Sequence, residues 1–168
     1  MGRIHIVGLV LEQLKTLLQP IGEQVERQPK YLVRLTDRPF FYEIFHKISV
    51  FPLFSDIYRY VPPLSGRVLQ VGCGTGYFNQ YVKREWRSDP PELHNLDVNL
   101  QHLEYGVRKR RFERYVQASI ARTPFEDEFF DAILFPRSFH HIQRLRAALE
   151  ECARILKPGG RIVIFDPV

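Results

Sequence analysis

Cysteine is almost missing from this chain: only Cys73 and Cys152 occur among 168 residues. Two isolated cysteines build no disulfide framework, and without a CxxC pair they form no metal knuckle, so no metal site is expected and a reducing, cytoplasmic setting is. Long apolar runs are missing as well. None approaches the ~18 residues of a membrane span. The first apolar stretch, Ile4 to Leu11, is broken by Gly8 and passes into the amphipathic segment Glu12–Leu18 instead of a small-residue cleavage site, so no signal peptide is read. Neither sign of charge dominates. The net charge of +5 comes from 24 basic residues interspersed among 19 acidic ones, a balance that permits an anionic partner without demanding one. Disorder is excluded by a hydrophobic content of 45%, and the length suits one domain with an appendage.

What is present changes character along the chain. Val7, Val10, Leu11, Leu14, Leu18 and Ile21 recur at helical spacing until Pro20 and Gly22 interrupt them, which predicts an amphipathic helix. From Pro39 to Tyr60 the chain is rich in aromatics, with Phe41, Ile44, Phe45 and Ile48 on one helical stripe. Core packing against a sheet is the preferred reading of these rings; the alternative is a lid over an apolar substrate. Pro62 to Gly66 reads as a linker. Residues 1–65 are therefore expected to form a helical, aromatic-rich N-terminal extension, a lid or cap, and residues 66–168 a second unit.

In that second unit short apolar runs alternate with helical stripes. Strands are expected at Arg67–Val71, Leu93–Val98, Arg114–Ala118, Phe130–Phe135 and Arg161–Phe165. One helix carries Phe78, Tyr81 and Val82, and another carries Ile142, Leu145, Leu149, Cys152, Ile155 and Leu156 and stops at Lys157-Pro158-Gly159-Gly160. Repeated strand-helix units mean parallel pairing with crossovers. The predicted class is α/β: a Rossmann-like open, mainly parallel twisted sheet flanked by helices, with ligands at the carboxyl ends of its strands.

The chemistry concentrates at Val68-Leu69-Gln70-Val71-Gly72-Cys73-Gly74-Thr75-Gly76-Tyr77-Phe78, a buried strand entering a glycine-rich turn and then a helix. Glycines there allow a sharp turn and the approach of a ligand to bare backbone, whose N–H groups would face a carboxylate or phosphate. A dinucleotide fingerprint would place its third glycine at 77, where Tyr77 stands, and the Gly-Lys-Ser/Thr of a P-loop is absent. Asp97 falls at the end of the second strand, 21 residues beyond Gly76, where a carboxylate can accept both hydroxyls of a ribose. A nucleoside with a carboxylate tail in place of a pyrophosphate satisfies all of this.

Together with Leu96-Asp97-Val98-Asn99, Pro124–Asp131, Ser138-Phe139-His140-His141-Ile142 and Leu156–Arg161, the glycine segment resembles, in order and spacing, the class I S-adenosylmethionine (SAM) dependent methyltransferases, and within them the branch acting on quinones, sterols and small metabolites. The resemblance implies that Gln70, Gly72, Cys73, Gly74, Thr75 and Gly76 hold the methionyl part of SAM and Asp97 the ribose. Val98 would lie along the adenine, Ser119 and Ile120 at its far edge, and Phe135 and Pro136 beside the methionyl tail. It also implies two further strands after the fifth, which residues up to Val168 do not supply.

His140 and His141 follow the fourth strand on the side where the acceptor lies in this family. Either imidazole could take a proton near neutral pH; the plainer reading is a histidine bonded to backbone at a helix start. The run Arg108-Lys109-Arg110-Arg111 is read as the solvated end of a helix, not as a nucleic-acid footprint. Gln70 and Ser119 stand where many relatives carry acids, which removes negative charge from around a cationic cofactor. The functional expectation is methyl transfer from SAM, leaving S-adenosylhomocysteine (SAH), to a small-molecule or lipid-like acceptor. The rival is a catalytically silent module of the same fold acting through protein contacts. The apolar fifth strand, left as a sheet edge, invites self-association or a partner chain.

Overall fold

Val68, Leu69, Gln70 and Val71 are all buried, the pattern of a strand covered on both faces. The computed structural model, which describes residues 38–45, 61–86 and 90–166, places them in β1 (Arg67–Val71) at the centre of a five-stranded parallel sheet. The other strands are β2 (Glu92–Asp97), β3 (Tyr115–Gln117), β4 (Phe130–Pro136) and β5 (Leu156–Phe165), in the order β3-β2-β1-β4-β5. The chain runs outward from β1 to β3, then returns to lay β4 on the other side of β1. That reversal opens a crevice at the carboxyl ends of β1 and β4, the place where open parallel sheets receive ligands.

Helices cover the two faces. Phe78 and Val82 of α2 (Tyr77–Glu85) pack on Val68, Ala132 and Leu134. On the opposite face Ala148, Leu149, Cys152 and Ile155 of α4 (Leu145–Ile155) pack on Leu69, Ile133 and Phe135. Between β2 and β3 lies α3 (Leu100–Arg108), whose first turn is capped by the Asn99 side chain accepting from the His102 N–H at 3.3 Å, the usual remedy for an unsatisfied helix start. Phe112 lies behind both the glycine turn and α3: a side chain begun at Gly76 or Gly106 would sit 2.8 or 2.5 Å from its ring. No helix among the described residues is long and apolar enough to cross a membrane.

Strand limits agree with the sequence expectation to within a residue except at β5. There the helix stops at Ile155, just before the expected break, but the strand begins at once: the ladder pairs Phe130 with Leu156 and next Ala132 with Arg161, so Lys157–Gly160 bulge out of register within it. Lys157 reaches back to Asp131, Nζ to Oδ1, at 2.7 Å, which holds the bulge on β4. The α4 stripe also begins later than its pattern, since Ile142 precedes the helix. The segment read as a linker is partly core: its Leu64, with Val61 just before it, is buried in the cluster under α2. Of the N-terminal aromatic region the structure describes α1 (Pro39–Phe45), where Phe40 and Phe41 are 65% and 44% exposed instead of packed in a core. The helix expected over Val7–Ile21 and the aromatics from 51 to 60 lie outside the described residues.

Candidate active site

The glycine turn leaves β1 and folds back over the end of β2. Gly72 and Cys73 both donate to the Leu96 carbonyl, at 2.8 and 3.1 Å, and Gly76 donates to the Cys73 carbonyl at 2.9 Å. Gly74 donates to Asp97 Oδ2 at 2.7 Å. These four N–H groups are thus taken by the chain itself, which corrects the expectation that they face a carboxylate or phosphate. A turn so engaged has little to offer a pyrophosphate, in keeping with Tyr77 where a dinucleotide site would need glycine. Gly74 adopts φ +52, and a side chain there would begin 2.5 Å from the Tyr42 hydroxyl, so α1 lies directly against the turn.

Asp97 sits at the crook of this fold-back. Its second oxygen, Oδ1, accepts from the Asn99 N–H at 2.9 Å. A carboxylate offers about four lone-pair positions, so two remain for hydroxyls of a ribose. Beside it Val98 is 68% exposed, an apolar surface against which a flat base could rest. Gln117 Nε2 donates to the Val98 carbonyl at 3.2 Å, which ties the end of β3 to this corner. Ser119 follows in a tight turn, its hydroxyl accepting from the Ala121 N–H at 3.2 Å, and Ile120 turns its side chain into the core. Phe135 and Pro136, at the end of β4, are buried.

Gln70 is 1% exposed, and among the described residues nothing donates to its Oε1. A buried acceptor without a donor is costly and marks a place for a donor from a ligand; the ammonium of an amino-acid tail has the required chemistry. The residues present therefore fit a nucleoside carrying an ammonium group. Cys73, buried beside Leu103 and Phe112, has its thiol pushed well up by desolvation and by the Asp97 charge, so it stays protonated and is no nucleophile.

The two histidines occupy a 3₁₀ turn, Phe139–His141, entered through Arg137 at φ +67. A non-glycine residue in the left-handed region is held by its surroundings, here by donation from the Arg137 N–H to the Phe165 carbonyl at 2.6 Å. That bond brings the residue after β5 to the histidine turn. The backbone N–H of His140 donates to Asp166 Oδ2 at 2.8 Å, and His140 Nδ1 lies 2.6 Å from Asp166 Oδ1. Because a carboxylate only accepts, Nδ1 is the nitrogen that carries the proton toward Asp166, which makes Nε2 the ring atom available for exchange with an acceptor. The structure thus distinguishes His140 from His141, whose ring centre lies 3.9 Å from that of its neighbour and to which, among the described residues, no carboxylate is hydrogen-bonded. Asp166 is a candidate that sequence reasoning missed, although the signal was there: Asp97 is the last residue of β2, and Asp166 is an acid just past the carboxyl end of β5. The basic run needs a correction too. Arg111 is not a solvated helix end; it makes a largely buried ion pair with Glu43 of α1.

Residues 69–164 match a family described as methyltransferase domain. A fatty-acid O-methyltransferase from Mycolicibacterium smegmatis is 36% identical over 102 residues, covering 60% of this chain and 36% of that protein. A ubiquinone/menaquinone biosynthesis C-methyltransferase from Pectobacterium atrosepticum is 29% identical over 145 residues, covering 74% and 57%. Among solved structures, a SAM-dependent methyltransferase of Methanococcus maripaludis superposes with a TM-score of 0.63 at 20% identity, over 83% of this chain and 65% of that one. The chain spans between about a third and three-fifths of the length of these two curated relatives. With its Rossmann-like sheet order, its glycine turn and a family match over 96 consecutive residues, the chain belongs to the methyltransferase domain family.

Proposed function

We propose that the protein is a SAM-dependent methyltransferase acting on a small or lipid-like acceptor. The observation that carries this reading is the placement, along one carboxyl edge of the sheet, of the Gly74–Asp97 crook and the His140–Asp166 pair. The cofactor would be held by the Gly72–Gly76 turn, Asp97 and Gln70, with Val98, Ser119, Ile120, Phe135 and Pro136 around it. When bound, it supplies a methyl group on a positively charged sulfur, open to in-line displacement by an acceptor atom.

The residues of the chain then have simple tasks, since orientation of the reacting atoms does most of the work in such a transfer. Asp166 holds the His140 ring in one tautomer and one orientation. The free Nε2 can take a proton from an acceptor hydroxyl, and the side chain of His140, 31% exposed, is reachable from solvent. The fatty-acid and quinone activities named for the relatives favour an apolar acceptor with one polar end. N-terminal aromatics such as Phe40 and Phe41, exposed in α1, supply an apolar surface for it. Gln70 and Ser119, neutral where many relatives carry acids, favour the second reading, a silent module of the same fold.

Calorimetry with SAM and SAH tests the first step, and release of SAH in the presence of a long-chain fatty acid or a hydroquinone tests the second. Absence of binding to the folded protein would remove the enzyme reading and leave the silent module.

A further inference from the structure

Glu43 is the least expected side chain of α1. It belongs to a helix with two phenylalanines in solvent, yet it is 6% exposed. Its carboxylate accepts from Arg111 Nη1 and Nη2 at 2.7 and 2.9 Å, from the Thr75 hydroxyl at 2.5 Å and from the Tyr77 hydroxyl at 3.0 Å. Four donors thus meet on two oxygens. Arg111 grips the same residue from the other side, Nη1 donating to the Thr75 carbonyl at 2.9 Å. Its guanidinium lies 4.8 Å from the Tyr77 ring centre. Burial alone would raise the Glu43 carboxyl, but the Arg111 and Thr75 hydrogen bonds outweigh it and hold the group below its ordinary range.

Thr75 stands inside the glycine turn, and Tyr42, one residue before Glu43, packs its ring 4.5 Å from His102 with its hydroxyl against Gly74. The described part of α1 therefore holds to the domain through two polar side chains, both on the cofactor turn, while Phe40 and Phe41 give it little apolar grip. A buried ion pair is a poor source of net stability compared with apolar packing, but removing one partner leaves the other charge buried and unmet. Such a pair selects one closed arrangement.

We propose that Glu43 is a positioning residue for the cofactor: with Arg111 it fixes Thr75 and fastens α1 across the Gly72–Gly76 turn, so that the site is complete only while this clasp is closed and the cofactor enters or leaves when it opens. This rests on the reading of that turn as the SAM site. The clasp connects the extension to the cofactor directly, and it gives the turn a support that the glycines themselves lack.

The test is the rate of SAH dissociation from the full chain, measured by stopped-flow displacement, with affinity from calorimetry. Glu43→Gln is expected to raise the dissociation rate at least tenfold. Arg111→Met should do the same, and the double variant should be no faster than the faster single one, because both remove one clasp. Tyr77→Phe, which removes a single donor to Glu43 and leaves its ion pair with Arg111 in place, should give an increase of two- to threefold. Glu151→Gln, which breaks a polar network elsewhere, serves as the control for lost stability and should leave the rate unchanged. A Glu43→Gln rate equal to wild type, or no faster than that of Glu151→Gln, overturns the clasp while leaving the cofactor reading intact. If Glu43→Gln does not fold, an unchanged rate in Tyr77→Phe overturns it. A wild-type protein that binds no SAH overturns the cofactor reading, and the clasp with it.

Discussion

Ser138 Oγ donates to the Val71 carbonyl at 2.5 Å. The histidine turn is thereby pinned to the last residue of β1, next to the point where the glycine turn begins. Two segments separated by more than sixty residues of chain are thus joined at this edge. That bond ties the start of the glycine turn to the turn that carries His140.

Asp97→Ala should remove most cofactor affinity and also destabilise the free protein, since the carboxylate holds both Gly74 and Asn99. Each hydrogen bond to a charged acceptor contributes about 1.5–3 kcal/mol. Thermal unfolding with and without excess SAH reports both effects. A variant with wild-type ligand-induced stabilisation would show that Asp97 does not anchor the ribose.

Gln70→Leu should stabilise the free protein and weaken SAM binding. The exchange removes a buried acceptor that has no donor among the described residues, and such a group costs about 1–3 kcal/mol. Gln70→Asp should bring no gain in affinity, because a new carboxylate at a position 1% exposed pays heavily in desolvation. Paired melting curves and titrations decide it: a drop in melting temperature for the Leu variant contradicts the assignment.

His140→Ala should lower turnover on a hydroxyl acceptor by about 10²–10⁴-fold, the usual worth of a positioned base, with SAH affinity within about twofold of wild type. Asp166→Asn should lower it less, because an amide fixes the ring tautomer poorly. An acceptor that is already an ionised carboxylate needs no base and should be spared. Unchanged turnover on hydroxyl acceptors would exclude His140 as the proton acceptor.

Glu151 accepts from the Thr123 N–H and hydroxyl at 2.7 and 2.6 Å and from Arg154 at 2.7 Å. Hydrogen bonding from Arg154, ahead of the opposing effect of burial, brings its carboxyl down to about 2. A folded-state value below the unfolded one gives stability that is fully present above about pH 4.5 and lost as pH falls toward 2. Glu151→Gln should therefore cost on the order of 2–3 kcal/mol at neutral pH and almost nothing near pH 2. Urea midpoints at several pH values check this; a pH-independent difference would argue against the charge as the cause.

Much of this architecture could be read beforehand because its signals are local. A buried run ending in Gly72 and an acid closing the next strand are visible in a line of residues, and the structure brings Gly74 and Asp97 together at 2.7 Å. The Pro-Gly-Gly of Lys157–Gly160 announces the end of the helix, which stops at Ile155, without saying that the same residues bulge within the next strand; Lys157 reaching Asp131 decides that, and this contact is not local. Arg111 could not be told from Arg108 or Arg110 in a basic run, since burial selects it. Its partner left a faint trace as the lone acid among Phe40, Phe41, Tyr42, Ile44 and Phe45.

Phe112 constrains how this sequence can change. Its ring occupies the space in which a side chain at Gly76 or at Gly106 would begin, yet the two glycines differ in backbone: Gly76 has φ +85, while Gly106 lies within α3. Replacing Phe112 with a smaller residue would relieve the two shortest contacts at position 106, leaving the Thr75 carbonyl at 3.2 Å as the next to accommodate an alanine, with a gain in helix propensity of up to about 1 kcal/mol. Position 76 would stay closed. The order of substitution is thus prescribed: 112 must shrink before 106 can grow, and a lineage that takes the steps in reverse passes through a clash.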